Sequence, residues 1–163
     1  MIKVKKSPNA DTRTAEVNVT KDMLINDTIS HMCDVESGCN LIAVKLLEAA
    51  ENHDYTKLAL IDKFYEDFSS RAEGVDFKSL GWFEQHLRER HHLNDRVPED
   101  VNLIDVIEMI VDCCMAGMAR SGGVNEIKID NEVLQTALRN TVELIIKNIE
   151  VIDWVVYKWV MVG

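Results

Sequence analysis

The residues able to do chemistry in this chain are its histidines and the carboxylates near them. All five histidines, His31, His53, His86, His91 and His92, fall between positions 31 and 92, and His53 opens the string His53-Asp54-Tyr55-Thr56-Lys57. A carboxylate series, Asp105, Glu108 and Asp112, follows on an otherwise apolar segment. Imidazole beside carboxylate is the donor mixture that borderline and harder divalent cations accept, so the grouping points to metal-dependent chemistry. His53 and Asp54 side by side could ligate one cation or bridge two, with Lys57 left to steady a phosphate oxygen. Taken alone, the dipeptide reads first as a polar helix junction in which Asp54 caps and Lys57 is solvated.

Spacing sorts the remaining candidates. Asp105, Glu108 and Asp112 stand at i, i+3 and i+7, one stripe of a helix. Asp105, near the expected N-terminus, reads as a solvent-facing residue favoured by the helix dipole. Asp112, inside Met109-Ile110-Val111-Asp112-Cys113-Cys114, is expected to be buried and to need a metal or another cation as partner. In a regular helix His86 is about 140° from His91 and about 120° from His92, so the three share no face unless the helix ends first. His31 depends on a turn near Gly38: along one straight helix it lies ~33 Å from His53, whereas a helical hairpin would let the two meet.

These residues must be positioned by helices. With 163 residues, 47% of them hydrophobic, and only 2 prolines and 7 glycines, the chain is expected to form one domain that is mainly α. Apolar positions from Leu24 to Ala50 recur at three and four, giving helix from about 20 to 51, either single or broken at Gly38. Further helices are expected at about 56–70, 80–92, 102–119 and 131–149, with Asn102 or Asp100 capping the fourth and Asn131 the fifth. The fourth is apolar nearly all round and belongs in the middle of a bundle. Short β pieces are expected at 2–4, 15–19 and 126–129, the first two around a turn at 7–11 as a hairpin or cover strand. The tail 151–162 is rich in β-branched and aromatic residues and reads as a strand that either pairs with the N-terminal strands or makes a contact in a homo-oligomer.

Charge and cysteine content exclude several classes. A formal charge of -10 with no basic cluster beyond Lys3-Val4-Lys5-Lys6 argues against long nucleic acid as a partner. Bound divalent cations could still reverse the local potential for a small anionic substrate. Cys33, Cys39, Cys113 and Cys114 have no Cys-x-x-Cys spacing and read as reduced thiols. Neither a signal peptide nor a membrane span is evident, so the expected compartment is the cytoplasm.

Taken together, His31, His53-Asp54 and Asp112 resemble the HD superfamily of metal-dependent phosphohydrolases, and His53-Asp54-Tyr55-Thr56-Lys57 looks like that family's His-Asp-x-x-Lys. The histidines between Trp82 and Asp95, followed by Glu108-Met109-Ile110-Val111-Asp112, are still more similar to small phage-type HD-like proteins, which would place the chain in a host cytoplasm. The resemblance spans about residues 20 to 120. It implies an HD-like helical bundle with short N-terminal (1–19) and C-terminal (150–163) β segments. It also implies metal ligation by His31, His53, Asp54 and Asp112, with His86, His91 or His92 as further ligands or phosphate contacts. The expected cofactor is a divalent ion, with Mn, Mg, Fe, Zn, Ni and Co not distinguished. The expected reaction is hydrolysis of a nucleotide or other small phosphate ester. Glu108 or Asp54 would accept the proton of water, while Lys57, Arg90 or a free histidine would stabilise the leaving oxygen. Two alternatives stay open: a non-catalytic helical phage protein that binds a host partner or nucleotide, and an HD-like dinuclear iron oxygenase.

Overall fold

The computed structural model describes residues 1–7 and 18–153. Among these are six α-helices and two short strands, a mainly α fold. In chain order they are β1 (Ile2–Lys5), α1 (Lys21–Asn52), α2 (Tyr55–Ala59), α3 (Ile61–Ser69), α4 (Gly81–His86), α5 (Leu103–Ser121), α6 (Asn131–Lys147) and β2 (Ile149–Ile152). The chain forms two compact units, one from the described residues of 1–42 and 144–163, the other from 43–143.

In the first unit β1 and β2 pair in parallel, Ile2 opposite Ile149 and Lys5 opposite Ile152. The beginning of the apolar tail therefore does meet the N-terminal strand, through a parallel ladder, while the turn expected at 7–11 lies almost wholly outside the described residues. Most of the expected 15–19 strand and of the 151–162 strand lies outside the described residues. α1 is a single helix that runs through Gly38 without a turn, and none of its residues is fully buried.

The second unit holds the core: Leu93, Val101, Val106, Met109 and Ala137, flanked by Leu103, Ile127, Ile129 and Val133. α5 starts with a capping box. The Asn102 side chain accepts from the Ile104 amide, and Asp105 Oδ2 accepts from the Asn102 amide at 2.8 Å. Such reciprocal capping satisfies amides that the first helical turn leaves without partners. α5 ends at Gly122, whose φ of 71° suits a residue without Cβ. One turn earlier Gly117 lies so close to the 123–124 backbone that a Cβ there would sit 2.8 Å from the Gly123 carbonyl oxygen. A second cluster is aromatic, with Phe64 stacked on Trp82 at 4.0 Å between centroids and Phe68 edge-on to Phe77.

Four expectations are corrected here. The helix expected at 56–70 divides at Leu60 into α2 and α3. Residues 126–129 form no strand, although Ile127 and Ile129 pack on the core. α5 is not sealed inside a bundle, since Val111 and Met115 are largely exposed. The helix expected at 80–92 stops at His86, after which the chain runs in tighter turns, Glu89 N–H donating to His86 C=O at 2.9 Å and His92 N–H to Glu89 C=O at 3.2 Å. No proline or glycine forces that stop. Side-chain anchors explain it: Glu89 is drawn to Thr56, Arg90 to Asp105 and Asp100, and His91 to Glu108. Tertiary contacts of this kind outweigh local helix preference.

Candidate metal centre

The junction between α1 and α2 carries His53 and Asp54. Asp54 has φ 58° and ψ 20°, a left-handed conformation that aspartate and asparagine tolerate better than most residues. It turns the chain so that one carboxylate faces two imidazoles: Oδ2 lies 3.7 Å from His53 Nε2 and Oδ1 lies 3.6 Å from His86 Nε2. Lys57, one helical turn on, holds the same carboxylate with its ammonium. Burial alone would raise the pKa of Asp54, but the Lys57 hydrogen bond and charge outweigh it and keep the carboxyl ionised.

The segment after α4 delivers the other imidazoles. Because the helix ends at His86, His92 swings back until its Nε2 is 3.0 Å from His86 Nε2. His91 is 3% exposed, and its ring lies 4.3 Å from that of His53. Arg90 fixes this segment to the start of α5: its guanidinium donates to both carboxylate oxygens of Asp105, at 2.7 and 2.8 Å, and to Asp100 Oδ1 at 2.9 Å. Asp105 is thus buried and paired, contrary to the solvent-facing position expected for it. Arg90 is turned to these two aspartates, which raise its pKa chiefly through the Asp105 hydrogen bond.

A second layer of carboxylates orients the rings. Glu108 Oε1 accepts from His53 Nδ1 at 3.0 Å and lies 3.1 Å from His91 Nδ1. Glu89 Oε1 is 3.2 Å from His86 Nδ1 and accepts from the Thr56 amide at 3.0 Å and from the Thr56 hydroxyl. Trp82 stacks on His86, 5.0 Å between ring centroids and 13° between planes. A carboxylate on Nδ1 selects the tautomer with hydrogen there and leaves the Nε2 lone pair free, the arrangement found around metal-ligating histidines. His53, His86 and His91 all have it.

The pKa directions follow from these contacts. Burial would raise the carboxyls of Glu89 and Glu108, but hydrogen bonds from Thr56 and His86 to Glu89, and from His91 and His53 to Glu108, lower both. Burial would lower His91, and its bond to Glu108 with the neighbouring negative charge raises it instead. His86 is lowered, by burial against the pull of Glu89. His92 falls to about 4, first through burial and then through the charges of His91 and His86, so it is neutral and able to ligate at pH 7.

Three overlapping groups bring ligand atoms within 4.8 Å of one another: His53 with His91 and Asp112; Asp54 with His91 and His92; Asp54 with His86 and Glu89. Atoms bound to one ion at about 2.0–2.2 Å stand about 3.0–3.6 Å apart, close to the Nε2–Nε2 and Nε2–Oδ separations seen here. Two buried polar atoms, His91 Nε2 and Glu89 Oε2, have no hydrogen-bond partner. An unsatisfied buried group costs about 1–3 kcal/mol, which a ligated cation would remove. Among the described residues, Asp54, Glu89, Glu108 and Asp112 lie around the imidazoles and Lys57 is the ammonium that pairs with them, so the residues present fit a divalent cation.

His53, Asp54, Asp112, His86, His91 and His92 are thus brought together, with Glu108 and Lys57 beside them. Asp112 is half-buried, its side chain 35% exposed with Oδ1 3.6 Å from His53 Nε2, which corrects the expectation of a buried carboxylate. His31 is not among the converging groups: α1 has no turn at Gly38, and His31 is exposed on it. Thr56, Glu89 and Trp82 were missed from sequence. The His86–Glu89 spacing of i, i+3 was the available signal for Glu89; nothing local marked Thr56. Comparison of the chain with known protein families, curated proteins and solved structures finds no match.

Proposed function

We propose that the unit formed by residues 43–143 is a metal-dependent phosphohydrolase, acting on a nucleotide or other small phosphate ester. The supporting observation is the ring orientation: three histidines have Nδ1 on a carboxylate while their Nε2 atoms converge near Asp54 and Asp112. His53, His91 and Asp112 would hold one cation, and Asp54 with His86 and His92 a second. A divalent cation supplies Lewis acidity, lowering the pKa of water and offsetting charge on phosphoryl oxygens.

The chain's own residues supply the rest. Asp54 stands between the two histidine sets and is kept ionised by Lys57, whose partly exposed side chain would meet a phosphoryl oxygen. Asp112, half-exposed, is a carboxylate able to take a proton from water. Glu108, an expected proton acceptor, has its Oε1 on two imidazoles and acts as a positioning residue. Arg90, an expected contact to the leaving oxygen, holds the His91–His92 segment against α5 through Asp105.

The test is elemental analysis of purified protein together with turnover of a panel of nucleotides and phosphate esters. Wild-type protein is expected to carry divalent metal and to hydrolyse at least one ester, with activity lost on Asp54→Asn, which preserves the left-handed backbone. Absence of any turnover that Asp54→Asn removes defeats the hydrolytic reading. Oxygen-dependent absorbance of an iron-loaded sample would favour the oxygenase alternative.

A further inference from the structure

The C-terminal part of α1 and the middle of α5 enclose a cleft of ≈ 430 Å³ beside the candidate metal centre. Leu46, Leu47, Ala50, Val111 and Met115 form its walls, and His53, Glu108 and Asp112 line it as well. The volume falls in the range of small-molecule sites. Its lining differs from what a nucleotide requires: among the described residues it holds no arginine or lysine, its only aromatic ring there is His53, and its polar groups belong to the metal-centre cluster. Among the described residues, a stacking ring other than His53 and cationic donors for a polyphosphate are therefore missing from this cleft. Leu47 and Met115 are 63% and 67% exposed, an apolar surface that water does not favour unless something covers it.

We propose that the ligand of this centre is a phosphate monoester of an aliphatic alcohol, its hydrocarbon chain in the cleft and its phosphoryl group at His53, Asp54 and Asp112. This narrows the phosphohydrolase reading and rests on it. In the reaction the oxygen of water forms a new bond to phosphorus as the ester P–O bond breaks. One proton of that water passes to the departing alkoxide, giving the alcohol, and the other stays on inorganic phosphate. The walls offer the chain apolar contact alone, so a hydroxylated chain binds worse and affinity follows chain length.

Alkyl phosphonates of two to eight carbons, which are not hydrolysed, are titrated into Zn2+-loaded protein, and the corresponding alcohols into EDTA-treated protein. Calorimetry gives affinity, and the Met115 methyl resonance reports the cleft. Kd is expected to fall by up to about fourfold per added methylene, the value for full burial, and the Met115 signal to shift. Leu47→Ser is expected to weaken the octyl ligand several-fold and the ethyl ligand less. Affinity independent of chain length, or a nucleoside monophosphate binding more tightly than octyl phosphonate, overturns the proposal. So does a dimer that Leu47→Ser dissociates while no alkyl ligand binds, which would assign the cleft to a second copy of the chain. Turnover assays separate the two levels. Ester hydrolysis indifferent to chain length refutes this ligand class and keeps the hydrolase, whereas length-dependent binding with no ester turned over keeps the ligand class and refutes the hydrolase.

Discussion

Replacing Glu108 by glutamine tests whether the second layer of carboxylates sets up the imidazoles for metal. Glu108 Oε1 lies 3.0 Å from His53 Nδ1 and 3.1 Å from His91 Nδ1, and its side chain is only 11% exposed. Glutamine fills the same volume and still offers one carbonyl oxygen, but it has no charge and its amide nitrogen cannot accept. Two charge-assisted contacts become at best neutral ones, and each bond to a charged group is worth about 1.5–3 kcal/mol, roughly twice a neutral bond. Part of that loss falls on the metal-free protein as well, so the loss of metal affinity is smaller. Substitutions in this layer lower metal affinity about 10- to 100-fold, or about 1.4–2.7 kcal/mol. Zn2+ affinity is measured by competition with a fluorescent chelator at pH 7, alongside Tm in EDTA to confirm that the variant is folded. The reasoning is refuted if folded Glu108→Gln binds Zn2+ within twofold of wild type while Asp54→Asn loses binding.

Other consequences follow from single contacts. Gly117→Ala places a Cβ 2.8 Å from the Gly123 carbonyl oxygen and 3.3 Å from Val124 Cα, both backbone atoms; destabilisation of about 1–3 kcal/mol is expected in a denaturant titration, and an unchanged midpoint would show that the 123–124 turn yields freely. His92, with a folded pKa of about 4 against about 6.5 unfolded, takes up a proton on unfolding between those values, so its contribution to stability falls as pH drops through about 6.5 toward about 4. His91 acts in the opposite sense, its raised pKa adding stability below about 6.5 that is lost as pH rises through the folded value. In EDTA, His92→Gln should therefore gain Tm relative to wild type between pH 7.5 and pH 5, and a constant difference would contradict the assignment. Trp82 is stacked on His86, so with Trp154 and Trp159 replaced by phenylalanine, Co2+ should quench the remaining emission and EDTA should restore it; emission indifferent to Co2+ would exclude His86 from the site.

Long helices with strong punctuation were legible in the sequence. α5 begins after Asn102 because the capping box is a local pattern, and it ends at Gly122 because a left-handed residue is needed there. Gly38 punctuated nothing: a single glycine costs a helix only about 1 kcal/mol, and α1 continues through it. The end of α4 was hidden because its cause is tertiary, in the pull of Thr56, Asp105 and Glu108 on residues 89–91. That same stop unites His86 with His92, which helical periodicity alone placed on different faces. Asp105 and Asp112 exchanged environments for a related reason: Arg90 reached the first and left the second at the edge of an open cleft. The sequence thus marked which residues carry chemistry more clearly than how deeply each is buried.

The most direct test of the proposed metal centre is a long-range 1H–15N spectrum of the histidine rings, recorded in EDTA and again with saturating Zn2+. In EDTA, His53, His86 and His91 are expected to carry hydrogen on Nδ1, and on addition of Zn2+ the Nε2 signals of His53, His86, His91 and His92 should move to metal-bound positions. His31, exposed on α1, should keep its signals. Nε2 signals of all four rings that remain unchanged at saturating Zn2+ would contradict a metal centre at this site.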